Sequence, residues 1–170
     1  MFKPGLSFVK ILLTKTLSPG NPMNPLIALG NKILDLAKLF APVGPLLARI
    51  TVGWAFVTAG WGKVHNIERV IGFFTNLGIP APVFQAHMAA YTELVAGALL
   101  IVGLATRISS VALGIVMIVA LKTALAEDIG GFTDLVGLVE FTYLVLLVWL
   151  AIAGPGKIAV DALITRKFRK

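Results

Sequence analysis

Cysteine is absent from the 170 residues. Disulfide exchange, thiolate-held zinc and protein-ligated iron–sulfur clusters all need cysteine sulfur, so the chain by itself offers none of them. Charge is also scarce: Asp, Glu, Lys and Arg make up 14% of the sequence, and histidine occurs twice. No Walker loop, dinucleotide fingerprint, HExxH or nucleophile elbow is present. The glycines of Gly154–Pro155–Gly156 read as a helix end, not a phosphate cradle. No metal site is expected, and no catalytic residue stands out. What is abundant is apolar surface. With 58% hydrophobic residues and a mean hydropathy of +0.92, the composition is far too apolar for a soluble domain of this size. It is that of an integral membrane protein.

Spanning a bilayer takes about 20 mostly apolar residues per helix. Four runs qualify: Pro42–Gly62, Phe84–Leu104, Ile108–Glu127 and Leu135–Gly154. Short connections join them, so the expected fold is all-α, a single four-transmembrane-helix bundle. Basic residues gather on one side of it. Lys3, Lys10, Lys15, Lys32 and Lys38 precede the first span, Arg107 lies between the second and third, and Arg166, Lys167, Arg169 and Lys170 follow the fourth. The third-to-fourth connection instead carries Glu127, Asp128 and Asp134, and the first-to-second mixes Lys63, Glu68 and Arg69. The positive-inside rule then places both termini in the cytoplasm. It also accounts for the net charge of +7 through the lipid bilayer, with no nucleic-acid partner. The division expected is an N-terminal extension over 1–41, the membrane domain over 42–161 and a basic cytoplasmic tail over 162–170.

The opening segment LSFVKILLTKTL is broken by lysines and lacks an Ala-x-Ala site, which makes it a poor signal-peptide core. SPGNPMNP, with three prolines, reads as a hinge. From Asn24, a cap candidate followed by Pro25, an amphipathic helix is expected to Phe40. Leu26, Leu29, Ile33, Leu36, Ala37 and Phe40 share one face, and Asn31, Lys32, Asp35 and Lys38 the other. That stripe suits a helix lying on the cytoplasmic leaflet and equally one packed on a neighbouring subunit. Between spans one and two, Ile67, Val70, Ile71, Phe74 and Leu77 line one face of a short outer-surface helix stopped by Gly78 and Pro80.

Within lipid, small residues mark where helices approach closely. Thr51, Ala55 and Ala59 form such a stripe on span one, and Ala89, Glu93 and Gly97 another on span two, which turns Glu93 into the bundle. An acidic side chain at a helix centre costs roughly 2.5 to 3.5 kcal/mol to insert, so it needs a partner or a purpose. Arg49, Glu93, Lys122 and Glu140 all lie inside the spans. At a rise of about 1.5 Å per residue, Arg49 falls at roughly 10 Å and Glu93 at roughly 16 Å from the cytoplasmic ends, with Lys122 and Glu140 together at roughly 21 to 22 Å. These depths predict two pairs, Arg49 with Glu93 and Lys122 with Glu140. Such pairs either handle a ligand or proton or simply fix helix register. Trp54, one turn beyond Arg49, can wall a pocket there, and Tyr91 offers a quinone ring a hydrogen-bond donor; the other reading of both is packing. His65 and His87 fall near the outer ends of spans one and two and read as interfacial residues, since a bis-histidine haem would need them facing each other across a buried cavity.

In order and spacing, RITVGWAFVTAGWGK, FFTNLGIPAP, ELVAGALLIVGLATR and GPGKIAVD together resemble the DoxX family of small four-helix membrane proteins, over roughly Leu46 to Asp161. Asp161 stands where that family tends to have an acid, while Ala159 replaces a serine frequent in the family, which removes a local hydrogen bond. The resemblance implies a bacterial or archaeal inner-membrane protein associated with quinone-linked oxidation, such as that of thiosulfate, with no covalently bound cofactor. Arg49 and Glu93 would then line a quinone or proton site, and partner subunits would supply the redox centre. The rival expectation is a non-catalytic accessory subunit that stabilises a larger membrane complex. A small transporter fits less well, because neither broken spans nor inverted repeats are evident.

Overall fold

The computed structural model describes residues 24–168. The segment LSFVKILLTKTL, most of the expected hinge and the last two basic residues lie outside them. The chain divides into two units at Ala41 and Pro42. In the first, α1 (Asn24–Phe40) has the bounds that its cap and periodicity predict. Leu29, Ile33, Leu36 and Phe40 are all exposed along it, and on the polar face Lys38 pairs with Asp35 at 2.8 Å.

The second unit is built only of helices among the described residues. Its elements are α2 (Val43–His65), α3 (Ile67–Asn76), α4 (Pro82–Val102), α5 (Thr106–Lys122), a 3₁₀ turn (Ala126–Asp128), α6 (Phe132–Gly137), α7 (Val139–Ala153) and α8 (Val160–Phe168). α2 packs chiefly on α4 and α5 on α7, with α4 against α5 and α2 against α7 closing the bundle. Val52, Phe56, Ala96, Leu100, Leu113, Met117, Leu147 and Leu150 form the core, and the Tyr143 ring meets Phe56 at 6.0 Å.

Large apolar side chains also cover the outer surface. Ile50, Trp54 and Trp61 on α2, Phe84, Met88, Tyr91 and Val95 on α4, Ile108, Val111 and Ile115 on α5, and Val145, Val148 and Ile152 on α7 all face outward. A soluble monomer does not tolerate apolar exposure on every side, whereas lipid requires it. The stretches Leu29–His65, which takes in α2, and Pro82–Val102 are long and apolar enough to cross a membrane by length and composition, and Val139–Ala153 is apolar but shorter. The run expected as one fourth span is in fact two helices. Leu138 is extended (φ −77°, ψ 133°) and separates α6 from α7, just after Gly137, a residue that weakens helices.

The α2–α4 seam is set by glycine. A Cβ on Gly53 would lie 2.9 Å from Gly97 O and 2.7 Å from Ile101 Cγ1, and one on Gly60 would lie 2.5 Å from Leu94 N. Backbones this close leave room only for hydrogen. The stripe expected on span one is therefore displaced: Thr51 and Ala59 face outward, and Gly53, Phe56 and Gly60 are buried instead. On α4, Glu93 and Gly97 of the expected face are buried, while Ala89 is half-buried and Ala86 and Ala90 are buried instead. α3 is also as expected. Ile67, Val70, Ile71, Phe74 and Leu77 are its half-buried residues. Gly78 ends it at φ 69°, with Ile79 N–H donating to Phe74 O and Gly78 N–H to Thr75 O, the paired bonds of a glycine-terminated helix.

Candidate functional site

Glu93 is 1% exposed on the inward face of α4. Lys63, in the last turn of α2, donates to both of its carboxylate oxygens. The lysine side chain remains 33% exposed. One partner is thus sealed in the seam while the other reaches the bundle surface. The glycine contacts explain the pairing: Gly60 against Ala90 and Leu94 puts Glu93 about level with the turn before Lys63, a gap that four methylenes close.

The same register carries Arg49 away from Glu93. Arg49 is buried, but it packs on Gly103, close to the opposite end of α4. This corrects the pair expected from depth. Depths counted from the span ends assume that both spans end at one height, whereas α2 continues past the end of α4, where Pro45 packs on Gly156. Arg49 Nη2 donates to Ile158 O, and Nε donates to Pro45 O at 3.3 Å. Gly103, at φ 76°, turns the chain from α4 toward α5, and a Cβ there would collide with the guanidinium. Asp161 closes the knot. Its Oδ1 and Oδ2 accept from Ala105 N–H at 2.8 Å and Thr106 N–H at 2.9 Å, and its own N–H donates to Gly103 O at 3.0 Å. The carboxylate caps α5 from a distant segment and holds Ala105 at φ 49°, a left-handed conformation that costs energy without a Gly. Ala159, where the family frequently has serine, is buried beside Gly103, so the cap forms without a hydroxyl there. Arg49 Nη1 and the hydroxyls of Thr106 and Ser110 are buried without a partner among the described residues.

The remaining expected residues scatter. Trp54 (64% exposed) and Tyr91 (53%) project outward, so Trp54 walls no pocket at Arg49; Tyr91 stacks on His87 at 6.3 Å. Lys122 and Glu140 form no ion pair among the described residues. Lys122 ends α5 and Glu140 begins α7, where each charge opposes the local helix dipole, so both occupy helix termini and not span centres. The residue that sequence reasoning missed is Lys63. A first span ending at Gly62 leaves it in the connection, yet α2 runs on to His65. A lysine one turn past a Gly-x-x-x-x-x-x-Gly spacing, opposite an intramembrane acid, was the available signal.

Two clefts open at opposite ends of the bundle. One of 530 Å³ is lined by Ala81, Pro82, Val83, Phe84 and His87. The other, of 630 Å³, is lined by Ala105, Arg107, Ile108, Pro155, Asp161, Ala162 and Thr165.

Comparison with known proteins bears on what this bundle is. Residues 44–127 match the family model DoxX. "Putative oxidoreductase CatD" of Bacillus subtilis is 36% identical over 121 residues, 70% of this chain and 85% of that protein. Inner membrane protein YphA of Escherichia coli is 32% identical over 71% of this chain and 89% of its own length, and inner membrane protein YqjF of the same organism is 28% identical over 77% and 99%. No solved structure matches. Together with an apolar exterior on every helix of the bundle, the family match and these relatives establish that the chain is a membrane protein of the DoxX family.

Proposed function

We propose that this protein is the membrane subunit of a quinone-linked oxidoreductase, in which four helices, α2, α4, α5 and α7, cross the inner membrane with both termini cytoplasmic. The Lys63–Glu93 pair carries the reading. A buried carboxylate held by a single lysine that itself reaches the surface is a route for protons, and intramembrane charge of this kind marks a pathway. Reduction of a quinone to its quinol takes up two electrons and two protons. Partner subunits supply the electrons; Lys63 takes protons from the adjoining water and Glu93 passes them inward as an acid. The apolar cleft lined by Phe84 and His87 lies at the same end of α4 and suits a ring entering from lipid. The name given to the Bacillus subtilis relative, "Putative oxidoreductase CatD", supports this reading.

The test is binding of a short-chain quinone analogue to the purified chain, followed by quinone reduction in the assembled complex. We expect saturable binding by the native chain and a fall of tenfold or more in reduction with Glu93→Gln. No binding, and turnover indifferent to Glu93→Gln, would falsify the proposal.

A non-catalytic accessory role is the second reading. The amphipathic pattern of α1 favours it, as does the absence of Lys63 and Glu93 from the lining of either cleft. A stoichiometric partner whose activity ignores Glu93→Gln would establish it.

A further inference from the structure

The 630 Å³ cleft lies at the opposite end of the bundle from Lys63, and its chemistry is divided. Ile108, Pro155 and Ala162 give it apolar walls, and Arg107 stands at its edge with Thr165. Ile108 is among the most exposed apolar side chains of α5, and Ile152 of α7 is nearly as open, so lipid reaches the cleft from the side. Arg107 is exposed too. Its guanidinium packs over Gly154 and makes one long hydrogen bond, 3.4 Å to Ile152 O, with no carboxylate in ion-pair range among the described residues. Asp161, the acid in the cleft, is not in ion-pair range of the guanidinium, and its two oxygens accept from the backbone N–H groups of Ala105 and Thr106. Lys157 and Lys167, both exposed, add positive charge at the same end.

We propose that this cleft binds the phosphodiester headgroup of an anionic phospholipid, with Arg107 on the phosphate and the upper acyl chain along Ile108 and Ile152. A basic edge over apolar walls where a helix bundle meets the surface is the chemistry that selects such lipids over zwitterionic ones. Guanidinium is suited to it because its planar donors match two phosphate oxygens at once. The helix amino terminus contributes little, because Asp161 already occupies the first amides of α5.

The experiment is native mass spectrometry of the purified full chain in detergent, titrated with phosphatidylglycerol, with phosphatidylcholine, and with inorganic phosphate as competitor. Because Arg107→Gln removes a packing contact on Gly154 and can disturb folding, Thr165→Trp, which fills the cleft and leaves the guanidinium in place, is measured beside it. Arg69→Gln, an exposed cation on α3, is the control. We expect at least tenfold preference for phosphatidylglycerol in the native chain, loss of that preference in both Arg107→Gln and Thr165→Trp, retention in Arg69→Gln, and no displacement by millimolar phosphate. Equal binding of the two lipids, full preference surviving in folded Thr165→Trp, or equal loss in Arg69→Gln would each overturn the assignment. Displacement by phosphate would overturn it in favour of a free-anion site.

Discussion

Replacing Lys63 by Met leaves the Glu93 carboxylate buried with no counter-charge. Removing one member of a buried ion pair costs about 3–5 kcal/mol, and because Lys63 is one-third exposed we expect the lower end of that range. Lys63→Met with Glu93→Leu removes both charges and should regain most of the loss, since apolar replacements of a buried pair are often neutral. Thermal unfolding in detergent of the two variants measures this directly, and equal destabilisation in both would mean that the pair contributes through packing and not charge. Gly103 is the second test at this scale. Gly103→Ala must adopt φ 76° and place a methyl against Arg49, so it should cost about 3 kcal/mol or more, above the 1–2 kcal/mol of left-handed backbone alone. Gly72→Ala in α3, where a Cβ meets open space, should be neutral or stabilising by up to about 1 kcal/mol. Similar losses at both glycines would contradict the packing described. Glu93 was legible as a buried acid because an apolar run makes any charge conspicuous. Its partner was not, because a lysine reaches several ångströms from its backbone, and one error of a turn at a span's end changes which cation can arrive.

Between elements, register is decided by where backbones touch. Alanine and threonine share helical spacing with glycine on α2, and only glycine lets Leu94 N approach to within reach of Gly60; composition alone cannot rank the two stripes. Gly60→Val should therefore separate α2 from α4 and break the Lys63–Glu93 contact. Ala59→Val, one residue away on the outward face, should leave both intact. Thermal unfolding in detergent reads the result, and equal losses of stability in both variants would refute the seam. The bounds of α1 and α3 were readable from caps, glycine stops and apolar spacing, because these are local signals. The cap on α5 was not, since its carboxylate, Asp161, lies 55 residues from Thr106. Asp161→Ala removes two charge-assisted bonds and should cost about 3 kcal/mol, with Asp161→Asn losing roughly half as much. If both variants lose the same amount in a denaturant titration, the negative charge is not what holds the turn.

For the whole molecule, the absence of cysteine that excludes so much chemistry makes topology directly measurable, since any single cysteine introduced is the only thiol. The four crossings we propose would put the α3 segment and the Glu127–Asp128 turn on one side of the membrane, and the Arg107 turn and Lys157 on the other. Hydropathy legibly predicted a bundle because lipid and core both demand apolar side chains, but that same demand hides how many helices complete a crossing. At about 1.5 Å per residue, the 15 residues of α7 span roughly 22 Å, less than the 30 Å of hydrocarbon, so a crossing by α7 needs α6 or the Leu138 segment to make up the difference. Thr75→Cys and Glu127→Cys should react with an impermeant maleimide from outside intact cells, and Lys157→Cys and Lys167→Cys only after the membrane is opened. Labelling of Glu127→Cys and Lys157→Cys from the same side would show that α7 does not cross. In that case α7 would lie against an α2–α4 hairpin that holds the Lys63–Glu93 pair, and the side of Arg107, set by the α4 crossing, would be unchanged.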